Sequence, residues 1–268
     1  MQRWNIYRIC KVDKMNELTF GVDDFKVIAG PCSIEDYESL YETAKDLKAR
    51  GITMLRGGAY KLRTSIHSFR GLGDVGIMHM AQVGNELGLI TVSEVTQTDK
   101  VEYMAKHIDI LVVGTRNMHN YPLLELLGKI DKPVILKRGI AATYDEWLAA
   151  AEYIMESGNE RVILCERGIR TFERETRYTL DISAIAMIKS KSKLPIIIDP
   201  SHAAGDRTLV PSLALAAIAA GADGLMIESQ LNPKDSICDA SQTVSPDVIS
   251  MILSLAPELR SLTKKANF

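Results

Sequence analysis

The chain has 268 residues, 46% of them apolar and 25% charged, with a formal net charge of −2. A chain of this length can bury one large core, and its composition excludes a disordered polymer and leaves no global field to draw in nucleic acid. No apolar run reaches the roughly 18 residues that span a bilayer, so neither membrane nor nucleic acid is an expected partner and a cytoplasmic location is expected.

The N-terminal stretch MQRWNIYRICKVDK is polar and basic, without the apolar run of a targeting peptide. Beyond it, apolar β-branched runs alternate with amphipathic ones. The apolar runs predict strands at 26–29, 52–55, 89–92, 108–113, 133–136, 161–164, 195–198 and 224–227. Between the first two, Tyr37, Leu40, Ala44 and Leu47 make one apolar helical stripe. Thr143 with Glu146 reads as a capping box for a helix carrying Trp147, Leu148, Ala151 and Ile154, and Gly158 suits its C-terminal stop. Ser245 followed by Pro246 opens a last helix through Val248, Ile249, Ile252 and Leu253. Strand and helix recurring about every 30 residues predict an α/β fold, the (β/α)8 TIM barrel. A single catalytic domain over 23–268 is expected, with a short N-terminal extension over 1–22; a doubly wound open sheet is the alternative.

The residues that stand out chemically fall at or just past these strand ends, where a barrel carries its active site. Arg56 to Ser65, RGGAYKLRTS, packs Arg56, Lys61 and Arg63 beside a Gly pair, a stretch suited to holding anions. Later strand ends bring Glu94, Arg116, Lys137 with Arg138, Arg167, His202 and Glu228, and the first ends in GPCS with Cys32. So many cationic donors suggest substrates carrying phosphate and carboxylate. Cys32, His202 and Glu228, with Asp239 as a fourth, combine soft, borderline and hard ligands, a set suited to divalent Mn, Fe, Co or Zn. The four cysteines, Cys10, Cys32, Cys165 and Cys238, form no C-x-x-C pair and suggest no disulfide framework. Cys165 reads as a core thiol, and Cys238 neighbours the candidate ligand Asp239.

The motifs VIAGPCSIE, RGGAYKLRTS with SFRGLG, VGTRNM, ILKRG, VILCERGIRTFE, IIDPSHAAG and AAGADGLMIE resemble, in order, those of the 3-deoxy-D-arabino-heptulosonate 7-phosphate (DAHP) synthases. The likeness is to their short microbial form, related to the 3-deoxy-D-manno-octulosonate 8-phosphate synthases. It implies the barrel already predicted and the first reaction of the shikimate pathway: condensation of phosphoenolpyruvate with erythrose 4-phosphate. It also implies a metal on Cys32, His202, Glu228 and Asp239, and phosphoenolpyruvate on Arg56, Lys61, Arg116, Lys137 and Arg167. Arg63 and Thr64 would take the aldose phosphate. Lys61, Glu94 and His202 would position or deprotonate the water that meets positive charge developing at C2. A homo-oligomer, dimer or tetramer, is expected, and regulation by aromatic end products is expected to be weak or absent.

The chain departs from the family pattern mainly on the aldehyde side. KPRTSPYSFQG reads KLRTSIHSFRG, bringing Leu62, Ile66, His67 and Arg70; TRNTLD reads TRYTLD, with Tyr178. EVHP reads ESQL, with Ser229 to Leu231 replacing VHP, and SDGQQS reads CDASQT from Cys238 to Thr243. Two alternatives therefore stand beside the heptulosonate synthase: a paralogue taking another aldehyde, and a non-catalytic binding or regulatory barrel. A Schiff-base aldolase would need a lone Lys in an apolar pocket, whereas Lys61 and Lys137 have arginine neighbours.

Overall fold

A computed structural model describes residues 20–21, 24–62 and 67–265. Most of the expected extension 1–22 lies outside the described residues, as do Arg63, Thr64 and Ile66. Eight parallel strands close into a barrel in sequence order: β1 (Lys26–Gly30), β2 (Met54–Arg56), β3 (Ile90–Val95), β4 (Ile110–Val113), β5 (Val134–Lys137), β6 (Val162–Glu166), β7 (Ile196–Ile198) and β8 (Gly224–Glu228). The open-sheet alternative is thereby set aside.

The strands read as unbroken apolar runs because both of their faces are covered. Inward residues, among them Ile28, Met54, Val92, Ile135, Ile163 and Met226, fill the barrel interior. Their outward neighbours, such as Ala29, Leu55, Val113 and Leu136, join the larger core beneath the helices. Cys165 belongs to the interior packing, as its sequence context suggested.

Helices α1 (Tyr37–Ala49), α2 (Asp74–Leu87), α3 (Val101–His107), α4 (Tyr121–Gly128), α5 (Tyr144–Glu156), α6 (Ser183–Lys191), α7 (Pro200–Ala204), α8 (Val210–Ala219) and α9 (Pro246–Lys265) occupy the connections and the C-terminal segment. The stripe on α1 buries Leu40, Ala44 and Leu47, with Tyr37 packed half-buried beside them. The capping box of α5 forms as read, with Thr143 and Glu146 satisfying each other's backbone N–H groups. Trp147 on the same helix is fully buried, and its indole donates to Leu136 O at 3.1 Å.

Four strand ends differ from the sequence expectation in a way that bears on the site, with β5 running on through Lys137 and β8 through Glu228. β2 runs on through Arg56, and β3 continues past the apolar run to include Ser93 and Glu94. Ser93 is accommodated because its hydroxyl donates to Gly57 O at 2.8 Å. Polar residues thus begin inside the sheet, at the rim where the interior packing stops.

Candidate active site

Four potential ligands converge at this rim from three connections. Cys32 follows β1, His202 lies on α7 after β7, Glu228 ends β8, and Asp239 lies in the β8–α9 connection. One ligand atom from each lies within 4.8 Å of every other. Cys32 Sγ is 3.4 Å from Asp239 Oδ2, and His202 Nε2 is 3.3 Å from Glu228 Oε1. Those separations match the roughly 3.3–3.8 Å edges of a tetrahedron whose donors sit 2.0–2.3 Å from a central ion. Glu228 Oε1 is also buried without a hydrogen-bond partner. Donor types, spacing and this orphaned oxygen all fit a divalent metal.

The local structure prepares each donor. Asp199 caps α7 by accepting from His202 N at 3.0 Å, and its other oxygen meets His202 Nδ1 at 2.7 Å. The imidazole is thus turned so that Nε2 faces Glu228. Burial pushes the His202 pKa below its ordinary value despite Asp199 and Glu228, favouring the neutral ring that a metal needs. Lys137 Nζ, 2.6 Å from Asp199, balances that buried carboxylate. Burial opposes ionisation of Glu228, but His202, Arg56 and Lys61 outweigh it and lower its pKa. A hydrogen bond with Cys238, followed by burial, raises the Cys32 thiol well above its ordinary range. Cys238 itself does not join the ligand quartet.

The cations line two adjoining spaces. A small recess of about 20 Å³ has Arg56, Lys61, Glu94 and Lys137 in its walls. Above it, a pocket of about 270 Å³ is lined by Lys61, Glu94, Arg116, Arg167, His202 and Asp239, among others. Lys61 and Glu94 border both spaces. Lys61 Nζ donates to Cys32 O and Cys32 Sγ, each at 3.0 Å. Burial alone would lower its pKa, but Cys32 and Glu228 outweigh burial and raise it, keeping the ammonium charged. Arg56 reaches Glu228 Oε1 at 3.2 Å. Arg56 Nη1 and Arg167 Nη1 are buried with no hydrogen-bond partner. An unsatisfied buried donor costs about 1–3 kcal/mol, so two of them on cations lining adjoining cavities point to an anionic ligand.

Of the residues expected from the sequence, Cys32, Arg56, Lys61, Glu94, Arg116, Lys137, Arg167, His202, Glu228 and Asp239 all lie at this end of the barrel. Arg63 and Thr64 lie outside the described residues. Arg138, next to Lys137 in the same motif, turns away to Glu166 at 3.0 Å and Asp181 at 2.8 Å and stacks on Tyr144. Its role is to pin loops. Three contributors escaped sequence reasoning. Asp199 stood in the DPSH motif, where its acidity and position before Pro200 were an available capping signal. Arg177 and Gln242 occupy irregular loops, with no periodicity to mark them. The departures Leu62 and Tyr178 line the pocket, and the Arg167 guanidinium stacks over the Tyr178 ring at 4.3 Å. Among the described residues no helix is long and apolar enough to cross a membrane.

Comparison with known proteins identifies the family and the fold. Residues 10–265 match the family model described as the DAHP synthetase I family. The phospho-2-dehydro-3-deoxyheptonate aldolase of Thermotoga maritima is 44% identical over 248 residues, covering 92% of this chain and 72% of that protein. A 2-dehydro-3-deoxyphosphooctonate aldolase of Desulfatibacillum aliphaticivorans is 30% identical over 259 residues, covering 90% and 93%. The crystal structure of the Thermotoga maritima DAHP synthase superposes with a TM-score of 0.90 at 43% identity, covering 95% of this chain and 74% of the other. A truncated form of the Thermotoga maritima 3-deoxy-D-arabino-heptulosonate 7-phosphate synthase gives 0.86 at 41% identity, covering 94% and 92%.

Proposed function

The chain belongs to the DAHP synthetase I family of enzymes, and from that premise we propose that it condenses phosphoenolpyruvate and erythrose 4-phosphate with water to give DAHP and phosphate. This would be the opening step of the shikimate pathway, carried out in the cytoplasm by a homo-oligomer. The observation that carries the reading is that Arg56 and Arg167, each with a buried guanidinium nitrogen that has no hydrogen-bond partner, line adjoining cavities, the larger of which also borders His202 and Asp239 of the quartet.

In this reading Arg56, Lys61, Arg116, Lys137 and Arg167 bind phosphoenolpyruvate through its phosphate and carboxylate. Arg63 and Thr64 take the aldose phosphate. A divalent ion on the quartet supplies Lewis acidity toward the aldehyde oxygen. With the two substrates held in contact, C3 of phosphoenolpyruvate bonds to the aldehyde carbon, and the charge left at C2 is met by water. Lys61 orients that water and offsets negative charge. The neutral His202 is engaged at Nδ1 by Asp199. Glu94, bordering both recess and pocket, takes the water's proton, which ends on the former aldehyde oxygen as a hydroxyl; phosphate then leaves from C2 with the proton of the added hydroxyl, whose oxygen becomes that of the ketone.

The test is phosphate release with Mn and a panel of acceptors: erythrose 4-phosphate, ribose 5-phosphate, arabinose 5-phosphate and unphosphorylated erythrose. Best turnover is expected with erythrose 4-phosphate, with loss of activity on chelation or in Cys32→Ala. Full activity after confirmed metal removal would refute the quartet. A second reading, a paralogue for another aldehyde, is favoured by Leu62 and Tyr178 lining the pocket; best turnover with a five-carbon or unphosphorylated acceptor would select it. No turnover by metal-loaded protein with any acceptor would favour a binding role.

A further inference from the structure

The two carboxylate oxygens of Glu228 have different surroundings. Oε2 accepts from Gln242 Nε2 at 2.6 Å. Oε1 has no hydrogen-bond partner and faces His202 Nε2 at 3.3 Å and Arg56 at 3.2 Å. The buried amide of Gln242 is held at its other end, where Oε1 accepts from Arg177 Nη1 at 2.9 Å. A guanidinium can only donate, so Arg177 fixes which end of the amide is oxygen and directs the NH2 group at Glu228.

Arg177 is itself anchored. Its backbone N–H donates to Ala204 O at 3.1 Å. Gly205, with φ 70, lies so close that a Cβ there would come within 2.6 Å of Arg177 Cβ. Arg177 Nη1 also stands 3.6 Å from Asp239 Oδ2, and Gln242 N donates to Asp239 O at 3.1 Å. Asp239 adopts the left-handed conformation, φ 54, which is uncommon outside glycine. The Gln242 side chain therefore braces the Glu228 carboxylate at Oε2, and Arg177 stands beside the Asp239 carboxylate while also lining the pocket.

We propose that Gln242, oriented by Arg177, is a positioning residue for metal loading: it fixes the rotation of the Glu228 carboxylate so that Oε1 alone is offered to a divalent cation. The proposal rests on the quartet reading above. Partners of this kind hold a ligand in its binding orientation, and their loss weakens metal affinity by about 10–100-fold.

The experiment is a Co²⁺ titration of the metal-free full chain, followed by visible d–d and thiolate charge-transfer absorption with a competing chelator. Melting of the metal-free proteins checks that each variant is folded. The unaltered protein should show a thiolate band that Cys32→Ala removes. Gln242→Ala should bind about 10–100-fold more weakly. The isosteric Gln242→Glu, which sets a second carboxylate against Glu228, should also bind more weakly. Arg177→Met should weaken binding too, and its combination with Gln242→Ala should cost less than the two separate effects multiplied, because both remove one brace. A normal thiolate band with unchanged affinity in both Gln242 variants would overturn this proposal alone. Lack of a Cys32-dependent band in the unaltered protein would overturn the quartet and this proposal with it.

Discussion

Replacing Gly114 by alanine should disable the reaction while leaving the barrel folded. Gly114 follows β4 with φ −69 and ψ 156, an extended conformation open to any residue, so alanine brings no backbone strain. The conflict lies with Glu94. A Cβ on Gly114 would sit 2.1 Å from Glu94 Oε1 and 2.6 Å from its carboxyl carbon. To open that 2.1 Å to the 3.0 Å below which Cβ contacts are essentially never found, the oxygen must retreat by about 0.9 Å. The obstacle is the end of a flexible side chain, so the structural cost is about that of one off-rotamer torsion, roughly 0.5–1.5 kcal/mol. Loss of chain entropy from the unfolded state offsets about 0.4–1 kcal/mol of it. Catalysis tolerates displacement less well: misplacement by about 1 Å can cost on the order of 100-fold in rate, close to 2.7 kcal/mol of barrier. Phosphate release under saturating substrates, read beside a thermal melt, should show kcat falling on that scale with little change in Tm. On a Glu94→Ala background the same substitution should do nothing further. An alanine variant that stays folded and turns over like the parent would refute the role given to Glu94.

Asp199→Asn should strand the buried Lys137 ammonium and release His202, destabilising the protein by ~3–5 kcal/mol and weakening Co²⁺ binding. Urea unfolding and metal titration measure the two effects, and unchanged metal affinity would exclude Asp199 as the orienting group. Tyr178→Leu removes a stack worth about 0.5–2 kcal/mol, so the KM for phosphoenolpyruvate should rise about 2–30-fold while Tyr178→Phe keeps it near the parent value; equal behaviour of the two would discount the stack. Burial would raise the Asp181 pKa, yet Arg138 and the Tyr144 hydroxyl outweigh it and hold it below the usual carboxylate range. A depressed carboxyl stabilises the fold above its unfolded pKa of about 4 and loses that contribution as pH falls through the lower folded value. Plots of Tm against pH should therefore fall more steeply on the acid side for the parent than for Asp181→Asn, and parallel curves would contradict this.

Much of this architecture was legible because strands covered on both faces must be apolar throughout. Residues such as Val134–Leu136 or Val162–Leu164 have no other economical use in a chain of this composition. The first charged residue after each run then marks the rim, as Arg56, Lys137 and Glu228 do. The same logic misplaced the end of β3, because Ser93 satisfies its hydroxyl on Gly57 O and the strand continues to Val95. It also offered no means of separating Lys137 from Arg138, adjacent cations that turn to different partners. Arg177 and Gln242 meet across 65 positions of sequence, between two loops whose backbone follows no repeat. Contacts of that kind depend on loop conformation, for which the residue pattern carries no period.

The ligand quartet also bears on how the cylinder holds itself shut. β8 is the strand that closes the ring, joining β7 through Ile197–Gly224 and Ile198–Leu225 and β1 through five register pairs from Lys26–Gly224 to Gly30–Glu228. Cys32, His202 and Glu228 extend from β1, β7 and β8, so an ion shared among them would clasp three neighbouring staves across that seam. Cys32 and Asp239, 207 positions apart in the chain, can meet only once the ring is closed. Affinity for the ion and resistance to opening are then one free energy measured from two directions. Amide exchange at 224–228 should slow on metal loading, while a strand on the far side of the barrel, such as β4, should respond only through global unfolding.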